Sequence, residues 1–186
     1  LTALYLTEIK GPGTRFIQFT VQAMSGVPAV VAGLFIFASI ILATPIKASG
    51  IAGAFALSIL MIPTVTRTAQ EVLLLIPNDL REAGLAMGAT QWKTVSTIVL
   101  PAARNGLLTA TILGIARIAG ETAPLIFTIG GSDKLNWNPF VNYQGALPFY
   151  VWKGLLLGTP ESIQRAWTGI LVLLILILAL FTSARV

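Results

Sequence analysis

The sequence contains no cysteine and no histidine. Without cysteine there is no disulfide, no thiolate nucleophile and no thiolate metal ligand. Without histidine, the usual general base near neutral pH and the commonest metal ligand are also missing. Charge is almost as scarce: 12 basic and 7 acidic side chains make up 10% of the 186 residues, against roughly 25% in an average soluble domain. So few polar groups cannot coat a soluble surface, which excludes an ordinary cytosolic enzyme and a disordered chain. The net charge of +5 and a pI near 10.0 look basic. No Lys/Arg cluster exists, however, to track a phosphate backbone, so no nucleic-acid partner is expected. The chain reads as one that moves something rather than one that makes or breaks bonds. No catalytic residue, metal ligand or cofactor is expected within it.

What the sequence does have is long apolar runs: 55% of residues are hydrophobic and the mean hydropathy is +0.85. A membrane-spanning helix needs about 20 mostly apolar residues. The gaps between charges predict spans over Val21–Ala43, Ile51–Val65 and Gly169–Phe181, and a fourth between Arg104 and Asp133. A fifth stretch, Leu147–Gly158, is too short to span and reads as interfacial or re-entrant. Trp137, Trp152 and Trp167 fit an aromatic belt near the outer boundaries. Thr159 or Glu161 beside Pro160 is placed to start the last helix. Gly154 and Gly158 read as boundary glycines. The first residues, Leu1-Thr2-Ala3-Leu4-Tyr5, read as the tail of an earlier apolar segment, so at least one span is expected upstream. Lys10 and Arg15, then Arg81, Lys93 and Arg104, then Arg185 favour the cytoplasmic side for their segments under the positive-inside rule. Residues 1–186 read as one transmembrane domain with a cytoplasmic loop at 77–101.

That loop, within Ile76–Arg104, is the long polar stretch between two spans. Asn78 or Asp79 is placed to cap a helix over Leu80–Met87, with Asp79 and Glu82 near its positive end. Gly88 is placed to end it. A second amphipathic helix is expected over Trp92–Val99, with Pro101 marking the entry to the next span. Two ionisable pairs lie within apolar sequence. Counting from Arg104 at about 1.5 Å per residue, Arg117 lies roughly 20 Å into its span and Glu121 roughly 25 Å. Their i,i+4 spacing would stack them on one helix face, either as a structural ion pair or as a polar site on a translocation path. An arginine fork suits an oxyanion because it can bond two oxygens at once. Arg67 and Glu71 share the same spacing, either as an interfacial pair or as part of a cytoplasmic exit.

Glu82-Ala83-Gly84, then Gly88, then nine residues to Ile98-Val99-Leu100-Pro101 resembles the EAA loop of ABC-transporter permeases, with Gly84 standing where the pattern has its second Ala. Three further stretches resemble the phosphate permeases of the Pst type, the PstA group above all. They are Tyr5-Leu6-Thr7-Glu8, Gly26-Val27-Pro28-Ala29-Val30-Val31-Ala32-Gly33-Leu34-Phe35 (where that group more often has Ser at position 29), and Ala116-Arg117-Ile118-Ala119-Gly120-Glu121-Thr122-Ala123-Pro124-Leu125. Arg67 and Glu71 match charged residues ahead of the loop in that family. The resemblance implies an all-α integral membrane bundle of the type I importer (MetI-like) class, with four spans visible of six, in a plasma (inner) membrane. It implies that Glu82, Ala83, Gly84, Gly88, Ile98, Leu100 and Pro101 couple to a cytosolic ABC ATPase dimer (PstB-like). It also implies a second permease (PstC-like) and an extracytoplasmic phosphate-binding protein (PstS-like). The sequence has no Gly-x-x-x-x-Gly-Lys-Ser/Thr loop, so ATP would be bound by the partner. A permease for sulfate, molybdate or another solute, the sister phosphate permease and an ion-gradient-driven transporter are the alternatives. A membrane-embedded enzyme is disfavoured by the missing His and Cys.

Overall fold

The longest helix, α4 (Gly50–Leu74), carries Pro63 in its middle, where the ring offers no N–H to the carbonyl four residues back. In a membrane helix such a gap is tolerated because neighbouring groups close around it, and Pro63 is fully buried. The computed structural model describes residues 1–9 and 11–183, so Lys10 and Arg185 lie outside the described residues. Before α4 come α1 (Thr2–Glu8), α2 (Pro12–Ser25) and α3 (Ala29–Ile36), which runs on through a π turn at Phe37–Leu42. After it come α5 (Asn78–Ala86), α6 (Gln91–Thr94), a second π turn at Val95–Val99 and α7 (Leu100–Ala119). α8 (Ala123–Thr128), α9 (Leu147–Leu157) and α10 (Pro160–Ser183) complete the chain. Among the described residues there is no strand, and a single isolated bridge joins Gly130 to Gln144.

Among the described residues three helices are long and apolar enough to cross a membrane: Gly50–Leu74, the continuous run Gln91–Ala119, and Pro160–Ser183. The first expected span, Val21–Ala43, is not one straight helix. α2 and the α3 run meet at 102° across Gly26-Val27-Pro28, and they count as a fourth span only if taken together. Pro28 is extended (φ −60°, ψ 140°) and cannot continue the preceding helix, which is the physical cause of the bend. The expected span between Arg104 and Asp133 is displaced toward the loop. Its helix begins at Gln91 and stops at Ala119, where Gly120 interrupts it before α8.

α4 and α7 form the centre. α7 presents Ala103, Gly106, Ala110 and Gly114 at spacings of three and four residues. A Cβ on Gly106 would strike Val72, and one on Gly114 would strike Val65. Small residues of this kind let membrane helices approach closely enough for dispersion contact, where no hydrophobic drive exists between them. Ala69, Leu73, Val99, Ala103 and Ala110 are buried together with Ala3 of α1. At the other end of α4, Ile36, Ala52 and Ala56 form a second buried cluster. There the N-terminus of α4 is clamped by the end of α8 and the loop after it: Ser49 N donates to Thr128 O (3.0 Å) and Ile51 N to Pro139 O (2.8 Å). α9 and α10 form a hairpin. Gly158 ends α9 in the left-handed conformation (φ 68°), and Thr159 Oγ1 accepts from Ser162 N at 3.3 Å. Gly154, expected at a boundary, instead packs against Ala166, so its small size is used for helix contact.

Gly114→Leu is expected to push α7 away from Val65 and lower stability by about 1–3 kcal/mol, read as a lower melting temperature in detergent. Ile115→Leu, on the 39% exposed side of the same turn, should leave the melting temperature unchanged.

Candidate functional site

Two groups of residues stand out, one at the loop and one at the far end of the α4–α7 contact, halfway along α4. The loop helix α5 starts behind Pro77, which is extended, and Asp79 sits in its first turn. Neither Asn78 nor Asp79 caps it. No side-chain cap bond is made, and Asn78 Oδ1 accepts from Arg81 Nη1 at 3.4 Å instead. The C-terminus follows the expectation from Gly88. That residue has φ 80°, Gly88 N donates to Leu85 O (2.9 Å), and Ala89 N donates to Gly84 O (3.2 Å). This pair of bonds is the Schellman arrangement, which satisfies the last carbonyls and favours glycine at the left-handed position. The expected second helix, Trp92–Val99, does not stand alone. Gln91–Thr94 continues through the π turn into α7, so Pro101 lies inside one helical rod. A proline cannot donate back along a regular helix, and a widened turn beside it relieves the misfit.

Gly84 is the buried residue of α5. A Cβ there would lie 2.7 Å from Thr94 Cγ2 and 2.9 Å from Ile98 Cδ1. The departure from the usual alanine therefore has a local cause: α5 rests directly on Thr94 and Ile98. Thr94 Oγ1 is buried in this seam without a hydrogen-bond partner among the described residues. Glu82, Ala83, Ala86 and Met87 face outward, and Leu80, Leu85 and Trp92 are also exposed (41%, 50% and 71%). α5 thus shows an acidic, small-residue and apolar outer surface suited to a groove on another protein.

Arg81 was legible only as a loop charge, yet it makes the most polar contacts there. Its Nε donates to Glu8 Oε1 at 3.2 Å, Nη2 to Leu73 O at 3.0 Å and Nη1 to Ile76 O at 2.7 Å. Those carbonyls lie at and just beyond the end of α4, where the regular helical ladder stops and Leu73 O has only the long bond from Ile76 N (3.4 Å) besides Arg81. Gln91 Nε2 donates to Glu8 O at 2.9 Å. The signal that could have pointed to Arg81 is its place just after a helix end, where a basic side chain can bond the last carbonyls.

Midway along the bundle, Arg117 lies in the last turn of α7, at the favourable negative end of that helix. Its Nη1 donates to Thr64 Oγ1 at 3.4 Å, while Thr64 donates to Leu60 O at 3.0 Å. The expected stacking of Arg117 and Glu121 on one face does not occur. α7 ends at Ala119, and Glu121 sits beyond it with its N–H on Ile118 O (3.1 Å). Glycine at 120, followed by Thr122-Ala123-Pro124 opening a new helix, is the cause of the break. Arg67 and Glu71 lie on α4, and Arg67 is one turn from Thr64. Among the described residues only Arg81–Glu8 and Lys153–Asp133 (3.3 Å) approach as ion pairs, so neither expected pair closes. The Arg117 fork keeps N–H donors without a protein acceptor among the described residues, and its side is exposed.

Residues 1–186 match the family described as "Binding-protein-dependent transport system inner membrane component". The chain is 39% identical over 178 residues to the phosphate transport system permease protein PstA of Mycobacterium leprae, covering 95% of this chain and 59% of that one. It is 40% identical over 196 residues to PstA of Haemophilus influenzae, covering 98% and 65%. The chain therefore spans about three fifths of the length of these relatives. Among solved structures, it is similar to an inward-facing MetNI methionine ABC transporter, with TM-score 0.78 and 21% identity over 99% of this chain and 81% of the other. That likeness is one of fold, a type I importer permease bundle.

Gly84→Ala is expected to cost about 1–2 kcal/mol by crowding Thr94. Adding Thr94→Ala should recover most of it, giving a coupling of about 1 kcal/mol in a double-mutant cycle of detergent melts.

Proposed function

The chain belongs to the family of binding-protein-dependent transport system inner membrane components, and from this we propose that it is a permease subunit of an ATP-driven phosphate importer. The observation that carries the phosphate reading is the identity of 37–40% to phosphate permeases over nearly all of this chain. The polar groups along α4 and α7 support it. A guanidinium held roughly 15 Å above the loop end of α4, counted from Thr64 to Leu74, is costly in hydrocarbon unless water or an anion meets its free donors. Arg117 is therefore read as facing a wet path, with Arg67 one turn lower on α4 toward the loop. Glu121, in the break after α7, and Glu71, one turn below Arg67, limit how firmly an anion is held there. A planar fork reads two oxygens of a tetrahedral oxyanion at once.

In this reading a second permease closes the path, and a soluble binding protein delivers phosphate from the opposite side of the membrane. α5 lies on the cytoplasmic side, as does the C-terminus. Its outer surface around Glu82, Ala83 and Ala86 seats in a separate ATPase, while Gly84, Gly88, Ile98, Leu100 and Pro101 shape the helix and its seat on α7. ATP binds to that partner, and this chain performs no bond chemistry.

Vesicles holding the complete transporter are expected to take up labelled phosphate only with ATP inside. Arg117→Gln should reduce uptake about tenfold or more while the complex still assembles. Uptake of sulfate in place of phosphate would overturn the choice of solute. Uptake without any ATPase would overturn the class. An Arg117→Gln chain that fails to assemble would assign Arg117 to packing instead of passage.

A further inference from the structure

Arg81 ties α5 to the neighbouring end of α4 and to α1, 73 residues away in sequence. It sits in α5, its guanidinium holds Leu73 O and Ile76 O at the end of α4, and its Nε holds Glu8 at the end of α1. Both side chains are largely shielded, 19% exposed for Arg81 and 12% for Glu8, so water competes weakly for these bonds. A second strut runs from Gln91, at the start of the α6–α7 rod, to the Glu8 carbonyl. The remaining tertiary support of α5 among the described residues is the Gly84 seam on Thr94 and Ile98, a contact of apolar and unpartnered atoms with α6 and the π turn of the α6–α7 rod. Apart from the covalent connection Leu75-Ile76-Pro77, the side-chain hydrogen bonds of α5 to the end of α4 and to α1 thus pass, among the described residues, through Arg81 alone.

We propose that Arg81 is a positioning residue for coupling: through Glu8 and the last carbonyls of α4, it makes α1, the end of α4 and α5 move as one body. This rests on the reading of α5 as the ATPase-docking helix. A push on α5 is then delivered to α4, which carries Arg67 and Thr64, and not only to α7. Lysine cannot take over this task, because a single ammonium does not reach a carboxylate and two carbonyls from one planar fork.

The test uses the full-length protein in its complete transporter, reconstituted in vesicles. Arg81→Gln is expected to keep the ATPase bound and turning over, while solute carried per ATP falls about tenfold as the charge-assisted bonds are lost. Arg81→Lys should recover only part of that loss. Spin labels placed by Thr2→Cys and Asp79→Cys, the latter on α5 outside the surface assigned to the ATPase, report the joint directly. The parental distance should stay single and unchanged on adding ATP, and Arg81→Gln should add a second distance. Unchanged solute per ATP in Arg81→Gln, or a parental distance that shifts with ATP, overturns the proposal. If Arg81→Gln does not fold, Glu8→Gln, which spares the bonds to α4, decides by the same two readouts. Co-purification of the ATPase with the parental chain reports separately on the docking reading, and the label distances do not depend on which solute is carried.

Discussion

The close approach of α7 to α4 through Gly106, Ala110 and Gly114 is the contact on which the rest depends. Lipid tails are as apolar as leucine, so helices gain nothing from hiding side chains from water. What holds them is dispersion across a well-fitted surface, which weakens steeply with a gap of an ångström. Valines 65 and 72 fill the notches that the two glycines leave. With the axes this close, the arginine at the end of α7 reaches Thr64, and the lower end of the same rod lies under α4 as a shelf for α5. A looser pair would lose both.

The second demand is that polar groups be satisfied without water. Most hydroxyls in the apolar helices turn back onto their own chain, as Ser58 does to Ala54 O (2.7 Å) and Thr128 to Pro124 O (2.9 Å). These residues cost the bundle little. Arg117 and Arg81 differ. Arg81 makes four hydrogen bonds from its five N–H donors, to Glu8, Asn78 and the end of α4, which makes it a fastener. Among the described residues Arg117 makes one long bond and keeps donors without an acceptor, which suits a group that meets a mobile partner. The same side chain therefore takes opposite roles according to how many acceptors the fold places around it.

Much of the helical layout was legible because the signals are local. Charge gaps located the long helices, and Gly88 at its offset from Glu82 located the end of α5. The misses share one cause: each depends on partners distant in sequence or on small changes of helical pitch. Apolar content alone cannot distinguish a straight span from one bent at Gly26-Val27-Pro28. Regular counting stacked Glu121 over Arg117, but the helix had already ended at Gly120. The spacing through Ile98 to Pro101 matched a known loop without showing that it runs through a π turn. Gly84 was visible as a deviation, while its reason lay in Thr94 and Ile98. Arg81 and Glu8 lie 73 residues apart, and nothing local pairs them.

The π turn at Val95–Val99 divides one rod into two faces. Below it, Thr94 meets α5; above it, Ala103, Gly106, Ala110 and Gly114 meet α4. A wider turn holds one residue more than a regular one, and each helical residue turns the rod by about 100°. Removing a single residue from this stretch would swing Thr94 and Gln91 away from Gly84 and Glu8 while the contact with α4 stayed in register. The length of the segment is thus constrained more tightly than its composition: its Val, Ser, Thr and Ile side chains can be exchanged for others of similar size, but its residue count sets the phase between the loop and the bundle.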